Sequence, residues 1–341
     1  MSIRAKDIAK KLGVSTTTVS LVLNDKPGVG DKTRERVLKE IEAMGFETNI
    51  KLKPSVSLKS IRFILYKKHG LVVGDTPFFS KLIESIEGEA KKNGFNIIIS
   101  YLNEEQNTQE YVKQFEQDDN TAGVMLLATE MTHEDVETFG KSYLPVLALD
   151  NCFDDVDIDC VQIDNVQGAY NAVNYLIKCG HKDIGYIHSS AYLHNFEQRF
   201  FGYKMALAEN GIAYKEDKVI LMEPTIEGSY EGMKTYLDEG NKPPAAIFSD
   251  NDILAMGASR ALKEAGYKLP EDVSMVGLDD MPYCTMMRPQ LTTVKVNNAS
   301  MGIVAVRRLA DMINGRTDET VKILIRTSLV VRKSVVEMKN D

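Results

Sequence analysis

Cysteine is scarce in this chain, 4 of 341 residues. Cys152, Cys160, Cys179 and Cys284 are too few and too scattered for a disulfide scaffold, and none forms a Cys-x-x-Cys pair of the kind used for zinc or redox chemistry. A reducing, cytoplasmic setting is expected. No run approaches the roughly 18 apolar residues of a membrane span, and Met1-Ser2-Ile3-Arg4-Ala5-Lys6-Asp7 has no apolar signal core. Neither secretion nor a membrane partner is therefore expected. The 5 histidines, at 69, 133, 181, 188 and 194, lack metal-ligand spacing, so no metal is expected.

Whole catalytic motifs are lacking too. Gly140-Lys141-Ser142 ends like a phosphate-binding loop, but Asp135 stands where the first Gly belongs. Gly257-Ala258-Ser259-Arg260-Ala261 lacks the closing Gly of a nucleophile elbow, and His133-Glu134-Asp135-Val136-Glu137 lacks the second His of a zinc helix. Asp155, Asp157 and Asp159 open like a calcium loop, yet Cys160 replaces the Gly and Val166 the distal Glu. No catalytic residue, cofactor or enzymatic activity is expected.

Positive charge is short overall, with a net charge of −8, but its distribution is lopsided. Residues 1–60 hold 12 Lys and Arg against 7 Asp and Glu, whereas the remainder holds 29 against 42. A small basic head precedes a large acidic body, and a local field of this kind suits a polyanionic partner for the head alone. In the head, Ile3, Ile8 and Leu12 sit at helical spacing with Ala5 and Ala9, and Gly13 stops that helix. Ser15 is placed to cap a second helix with the apolar stripe Val19, Val22 and Leu23. Gly30-Asp31 caps a third, striped by Val37, Leu38, Ile41 and Met44 and stopped by Gly45. Two short helices joined by a tight Gly turn form the arrangement that lays its second helix in the DNA major groove. Thr16, Thr17 and Ser20 stand at the start of that helix, where short hydroxyl side chains reach base edges or phosphates. The plainer reading of such residues is helix capping.

The run from Arg4 to Asn24, with Lys32-Thr33-Arg34-Glu35-Arg36-Val37 and Met44-Gly45-Phe46 at matching spacing, resembles the helix-turn-helix of the LacI/GalR family of bacterial transcription regulators. The resemblance implies that Thr16, Thr17 and Ser20 face bases, while Lys6, Ser15, Asn24 and Thr33 hold phosphates of double-stranded, palindromic operator DNA. It also implies a hinge helix whose Leu wedges into the minor groove. Here the pattern departs. Thr48 stands where a Pro is expected, Pro54 falls inside the would-be helix, and Ser55 takes the position of the wedge Leu. Leu52, Val56 or Leu58 would supply a wedge in a shifted register, or the segment is a plain linker.

From residue 61, apolar β-type runs alternate with amphipathic stretches, which predicts parallel sheets covered by helices. Strands are expected at 61–66, 96–101, 123–128 and 146–149 for one sheet and at 161–163, 184–187, 218–222, 245–249 and 273–278 for a second. Helices are expected at about 79–92, 107–117, 133–142, 166–178, 197–209, 227–238, 251–265 and 299–313. So many units exceed one sheet and imply two α/β lobes.

The body resembles the same family through Gly180-His181-Lys182-Asp183-Ile184-Gly185-Tyr186-Ile187, Asp272–Asp280, Leu291-Thr292-Thr293-Val294, Met301-Gly302 and Leu329–Val335. That resemblance implies a type I periplasmic-binding-protein-like body whose chain crosses between lobes near 160–164, 289–294 and 322–328. A ligand would bind between the lobes, outside the strand ends. The domain scheme expected is a helix-turn-helix domain at 1–46, a hinge or linker at 47–60, and an effector-binding and dimerisation domain at 61–341. Its first lobe would span about 61–160 plus 292–323, its second about 161–290 plus 324–341.

Residues after the strand ends suit a polyhydroxylated ligand, because carboxylates, amides and guanidinium grip hydroxyls while aromatic rings cover a sugar's apolar face. These are Asp75, Phe78, Phe79, Asp150 and Asn195, with Arg199 at the family's effector-binding arginine position and Asn251 and Asp279 at two further pocket positions. Phe78 and Phe79 fit plain core equally well. Val296 stands where some sugar-binding members place Gln. The expected function is a repressor whose operator affinity is set by a sugar or sugar derivative. It would act as a homodimer, since a palindrome requires two heads and no leucine heptads follow Val335. The alternative is a sugar-binding module or enzyme of the same fold with no DNA-linked function.

Overall fold

The computed structural model describes residues 5–23, 26, 28–43, 58–73 and 77–338, in two compact units, Met1–Leu58 and Lys59–Asp341. In the first unit, α1 (Ala5–Leu12), α2 (Thr16–Leu23) and α3 (Asp31–Ala43) follow the apolar spacing. Ile8, Ala9, Val19, Val22, Val37, Leu38 and Ile41 bury together as its core. Gly13 takes φ +65°, a conformation that penalises a Cβ, and this turns the chain between α1 and α2. The Ser15 hydroxyl accepts the Thr18 N–H at 3.0 Å, so the expected cap is present. Asn24, Met44, Asp75 and the segment carrying Thr48, Leu52, Pro54, Ser55 and Val56 lie outside the described residues, and Leu58 is exposed.

The second unit carries two six-stranded sheets. The first is built from β1 (Ser60–Lys67), α4 (Pro77–Lys92), β2 (Asn96–Asn103), α5 (Thr108–Glu116), β3 (Thr121–Leu127), α6 (His133–Gly140), β4 (Val146–Leu149) and β5 (Asp159–Ile163). The second follows with α7 (Asn165–Lys178), β6 (Ile184–Ser189), α8 (His194–Glu209), β7 (Val219–Met222), α9 (Ile226–Asp238), β8 (Ala246–Ser249), α10 (Asp252–Glu264), β9 (Ser274–Asp279) and β10 (Thr292–Lys295). The chain then returns through α11 (Asn298–Ile313) and β11 (Lys322–Ile325) to the first sheet, and ends in the second with β12 (Ser328–Val330). Strand orders are β11-β5-β4-β3-β1-β2 and β12-β10-β9-β8-β6-β7. Every described pairing is parallel except that of β12 on β10. Central strands such as β3, β4 and β8 are buried along their whole length, which is why they read as unbroken apolar runs.

Three expectations are corrected. Residues 161–163 belong to β5 of the first sheet, between β4 and β11, and not to the second lobe. Residues 292–295 belong to the second sheet, not to the first lobe, so the crossing falls after Lys295. An apolar run announces a strand but not which sheet receives it. The polar pair Thr292 and Thr293 is buried because its hydroxyls are used: Thr293 donates to Asp252 at 2.6 Å and Thr292 accepts the Arg332 N–H at 2.9 Å. Finally, the four cysteines, read as too few and too scattered for a disulfide scaffold and as fitting a reducing setting, include one pair, Cys152 and Cys160, joined as a disulfide, while Cys179 and Cys284 are free and buried. The loop between β4 and β5 doubles back and brings their Cα atoms to 5.4 Å, a proximity that a spacing of eight residues does not reveal.

Candidate functional site

The candidate site is a cleft in the second unit at the carboxyl ends of the parallel strands, where this architecture leaves room between its crossovers. Phe79, Asp150, Asn195, Arg199, Asn251 and Asp279 all line it, so six of the eight sequence-chosen pocket residues meet there. Of the other two, Phe78 falls in α4, and Asp75 is outside the described residues.

Two acids enter the cleft from strand ends, each with left-handed backbone. Asp150, just after β4, has φ +64°, and Asp279, closing β9, has φ +124°. Non-glycine residues in this region are uncommon and concentrate at functional sites. Asp150 is buried. Its carboxylate accepts the Thr129 hydroxyl at 2.7 Å and its carbonyl accepts the Asn195 amide at 2.9 Å. Burial pushes the Asp150 carboxyl up to about 6, against the smaller downward pull of Thr129 and Arg199. Burial also pushes Asp279 up, and Arg199 opposes this while Asp252, Asp150 and Asp250 reinforce it.

Arg199, on α8 and 5% exposed, is the cation facing these acids. Its Nε donates to Asn165 Oδ1 at 2.8 Å and its Nη1 to the Asp250 carbonyl at 2.5 Å, while Nη2 lies 3.9 Å from Asp279 Oδ1. The guanidinium also lies 5.1 Å from the centre of the Phe196 ring. Behind it, the fully buried Asp250 carboxylate accepts from Tyr186, from Ser189 N–H at 2.7 Å and from His188 Nδ1 at 2.8 Å. Burial opposes charge on His188, but Asp250 and Glu197 outweigh it and raise its pKa. Asn251 caps α10, its side chain accepting the Leu254 N–H at 2.9 Å. The cleft thus offers buried acceptors, amides and one guanidinium, with rings and aliphatic side chains between them.

Sequence reasoning missed Leu71, Val72, Thr129, Phe196, Thr225 and Ile253, which also line the cleft. Phe196 had a usable signal, since it precedes Arg199 by one helical turn. In the first unit, Thr16, Thr17 and Ser20 are exposed on α2, the Ser15 hydroxyl is engaged in its cap, Thr33 is half-buried on α3, and Lys6 falls in α1. Among the described residues, no group of three or more His, Cys, Asp or Glu is placed to hold a metal ion, and no helix is long and apolar enough to cross a membrane.

Asp150 gives a test of the site's electrostatics. Its folded-state pKa lies above the ordinary carboxylate value, so this group's contribution to stability is present at low pH and lost as pH rises towards about 6. Asp150→Asn removes the buried charge and suits the left-handed backbone. It is expected to raise stability at pH 7.5 by about 1–3 kcal/mol, with the gain vanishing near pH 4. Urea unfolding at both pH values checks this, and equal differences at the two would contradict it.

A head of three short helices with hydroxyl residues exposed on the second, joined in one chain to a two-lobed body whose largely apolar cleft carries buried acids, amides and a guanidinium, defines a ligand-responsive DNA-binding regulator. Comparison with known proteins agrees. Residues 5–49 match the model of bacterial regulatory proteins of the lacI family, and residues 173–335 match a periplasmic binding protein-like domain. The HTH-type transcriptional repressor PurR of Mannheimia succiniciproducens is 31% identical over 333 residues, 97% of this chain and 98% of its own. Among solved structures, the transcriptional regulator CelR in complex with cellobiose covers 98% of this chain and 100% of its own, at 24% identity and TM-score 0.73. The lac repressor dimer bound to operator and an anti-inducer has the same coverage and TM-score at 23% identity. The chain belongs to the LacI family of bacterial regulatory proteins and is a DNA-binding regulator, not an enzyme. The reading as a sugar-binding module without DNA-linked function is set aside by the match over residues 5–49.

Proposed function

We propose that this regulator is a cytoplasmic repressor that binds palindromic operator DNA as a homodimer and whose operator affinity is set by a sugar-like molecule held in the cleft. The observation that carries the effector reading is the convergence of Asp150, Asn195, Arg199, Asn251 and Asp279 at strand ends, with Phe79 and Phe196 beside them. Carboxylates and amides of this kind accept and donate to adjacent hydroxyls, and the rings cover an apolar face. The cellobiose in the CelR complex supports the same class. A relative named as a repressor over nearly the whole chain supports repression, and the operator-bound dimer of the lac repressor supports two copies on one palindrome.

In the head, Thr16, Thr17 and Ser20 would read base edges while Lys6, Ser15, Asn24 and Thr33 hold phosphates. Thr17→Ala is expected to relax base preference, with a loss of about 1–3 kcal/mol on operator and little on scrambled DNA. Lys6→Ala is expected to weaken binding to both DNAs alike and to flatten the salt dependence. Titrating an operator obtained by selection from random duplexes, beside its scrambled version, tests the split. Equal losses on both DNAs for Thr17→Ala would remove it from base readout.

A further inference from the structure

We propose that Glu130 is a positioning residue that fastens the Lys68–Val73 segment as one wall of the cleft and so limits what enters it. The segment follows β1 directly, and two of its side chains, Leu71 and Val72, face the cavity. A loop of this length has no sheet or helix partner for its amides, so something else must bind them. Glu130 does. Its side chain is completely buried, and Oε2 accepts the N–H groups of Lys68 at 2.9 Å, His69 at 3.2 Å and Gly70 at 2.9 Å. Oε1 accepts those of Val72 at 3.0 Å and Val73 at 2.8 Å. The one amide left over, that of Leu71, donates to the His69 ring nitrogen at 3.2 Å. Every backbone donor from 68 to 73 is thereby satisfied, and five of them converge on one carboxylate.

Burial alone would raise the pKa of such a carboxyl, but the amides of Val73, Gly70 and Val72 outweigh it and the net direction is down. The amides thus favour the carboxylate as the anion that they bind. Its neighbour Thr129 donates to Asp150, so two successive residues after β3 hold a cleft acid and a cleft wall. Charge-assisted bonds of this kind are roughly twice as strong as neutral ones, and an amide side chain cannot replace them, because its NH2 would confront N–H donors.

The claim that the wall limits entry rests on reading the cleft as the effector site, but its test uses no effector. In the full chain, hydrogen exchange is followed at the amides of 68–73. Labelling by a small maleimide is followed at Ile253→Cys, a cleft-lining position, by peptide mass mapping. Glu130→Gln is expected to speed both by about tenfold or more. Glu130→Asp, which keeps the charge but draws the carboxylate back, is expected to give smaller increases of the same sign. A control, Phe115→Leu, loosens the first lobe's core without touching the segment and should leave exchange at 68–73 at the parent rate. Parent rates of exchange in Glu130→Gln would overturn the anchor, and faster exchange with unchanged labelling would overturn the wall. Failure of the effector reading would show itself separately, as no thermal shift with any sugar screened while the Glu130→Gln differences in exchange and labelling persist.

Discussion

Arg199→Ala is expected to abolish the response to effector at ligand concentrations that saturate the parent protein. One charge-assisted contact to a ligand is worth roughly 1.5–3 kcal/mol, so its loss weakens effector binding on the order of ten- to a hundredfold. A ligand moves a conformational equilibrium only by its differential affinity for the two states, and that difference shrinks with the lost contact. An inducer would then fail to release DNA, and a corepressor would fail to promote binding. The structure adds a second effect. Arg199 also ties Asn165 to the Asp250 carbonyl and faces Asp279, so the variant leaves buried acceptors without their donor and should be less stable by about 2–4 kcal/mol. Effector-free operator binding is measured below the variant's lowered melting temperature, where it should stay close to that of the parent. The assay is a DNA titration with and without a sugar chosen by thermal-shift screening. A variant that responds at parental ligand concentrations would take Arg199 out of the pocket.

Gly202→Ala is expected to destabilise the protein by more than about 2 kcal/mol, against the sign of helix propensity. On propensity alone alanine in the middle of α8 gains about 1 kcal/mol over glycine. Packing decides otherwise. A Cβ at this position would stand 2.3 Å from the Val166 carbonyl oxygen, 2.9 Å from Ala169 Cβ and 3.1 Å from the Tyr170 nitrogen, all on α7. Two of these are backbone atoms, which cannot swing aside, so α7 and α8 must separate and the buried stack around Tyr203 and Tyr186 opens with them. A fall in melting temperature of about 5–10 °C is expected for a unit of this size. Since Arg199 and Asn195 ride on the same helix, effector affinity should fall too. An unchanged melting curve would show that the two helices do not pack this closely.

Much of this arrangement can be read from residue order, and the exceptions have physical causes. Strands buried on both faces declare themselves by uninterrupted apolar runs, as in Thr121–Leu127, and the helices by stripes that glycines close. β11 and β12 are short and half-exposed, so Lys322–Ile325 and Ser328–Val330 carry no such run. β10 hides behind two threonines whose polarity is cancelled by Asp252 and Arg332. In the cleft, Asp150, Asn195, Arg199, Asn251 and Asp279 were legible because a resemblance placed them at strand ends. Glu130 was not, because a lone glutamate after a strand looks like a surface charge until the loop that surrounds it is seen. The Cys152–Cys160 pair was not legible for the same reason, since pairing depends on a loop's path.

The order in which the sheets receive their strands bears on how the protein is made. β5 lies between β4 and β11, so the first sheet lacks one of its six strands until residue 325 has left the ribosome, long after β5 at Asp159–Ile163. The helix that covers part of it, α11, arrives only shortly before. The three-helix head has its own core and can form early, while β5 waits with one side open as a row of unpaired N–H and C=O groups. A nascent body of this design is exposed to mispairing over the long interval between β5 and β11, which makes the Lys322–Ile325 strand a folding requirement.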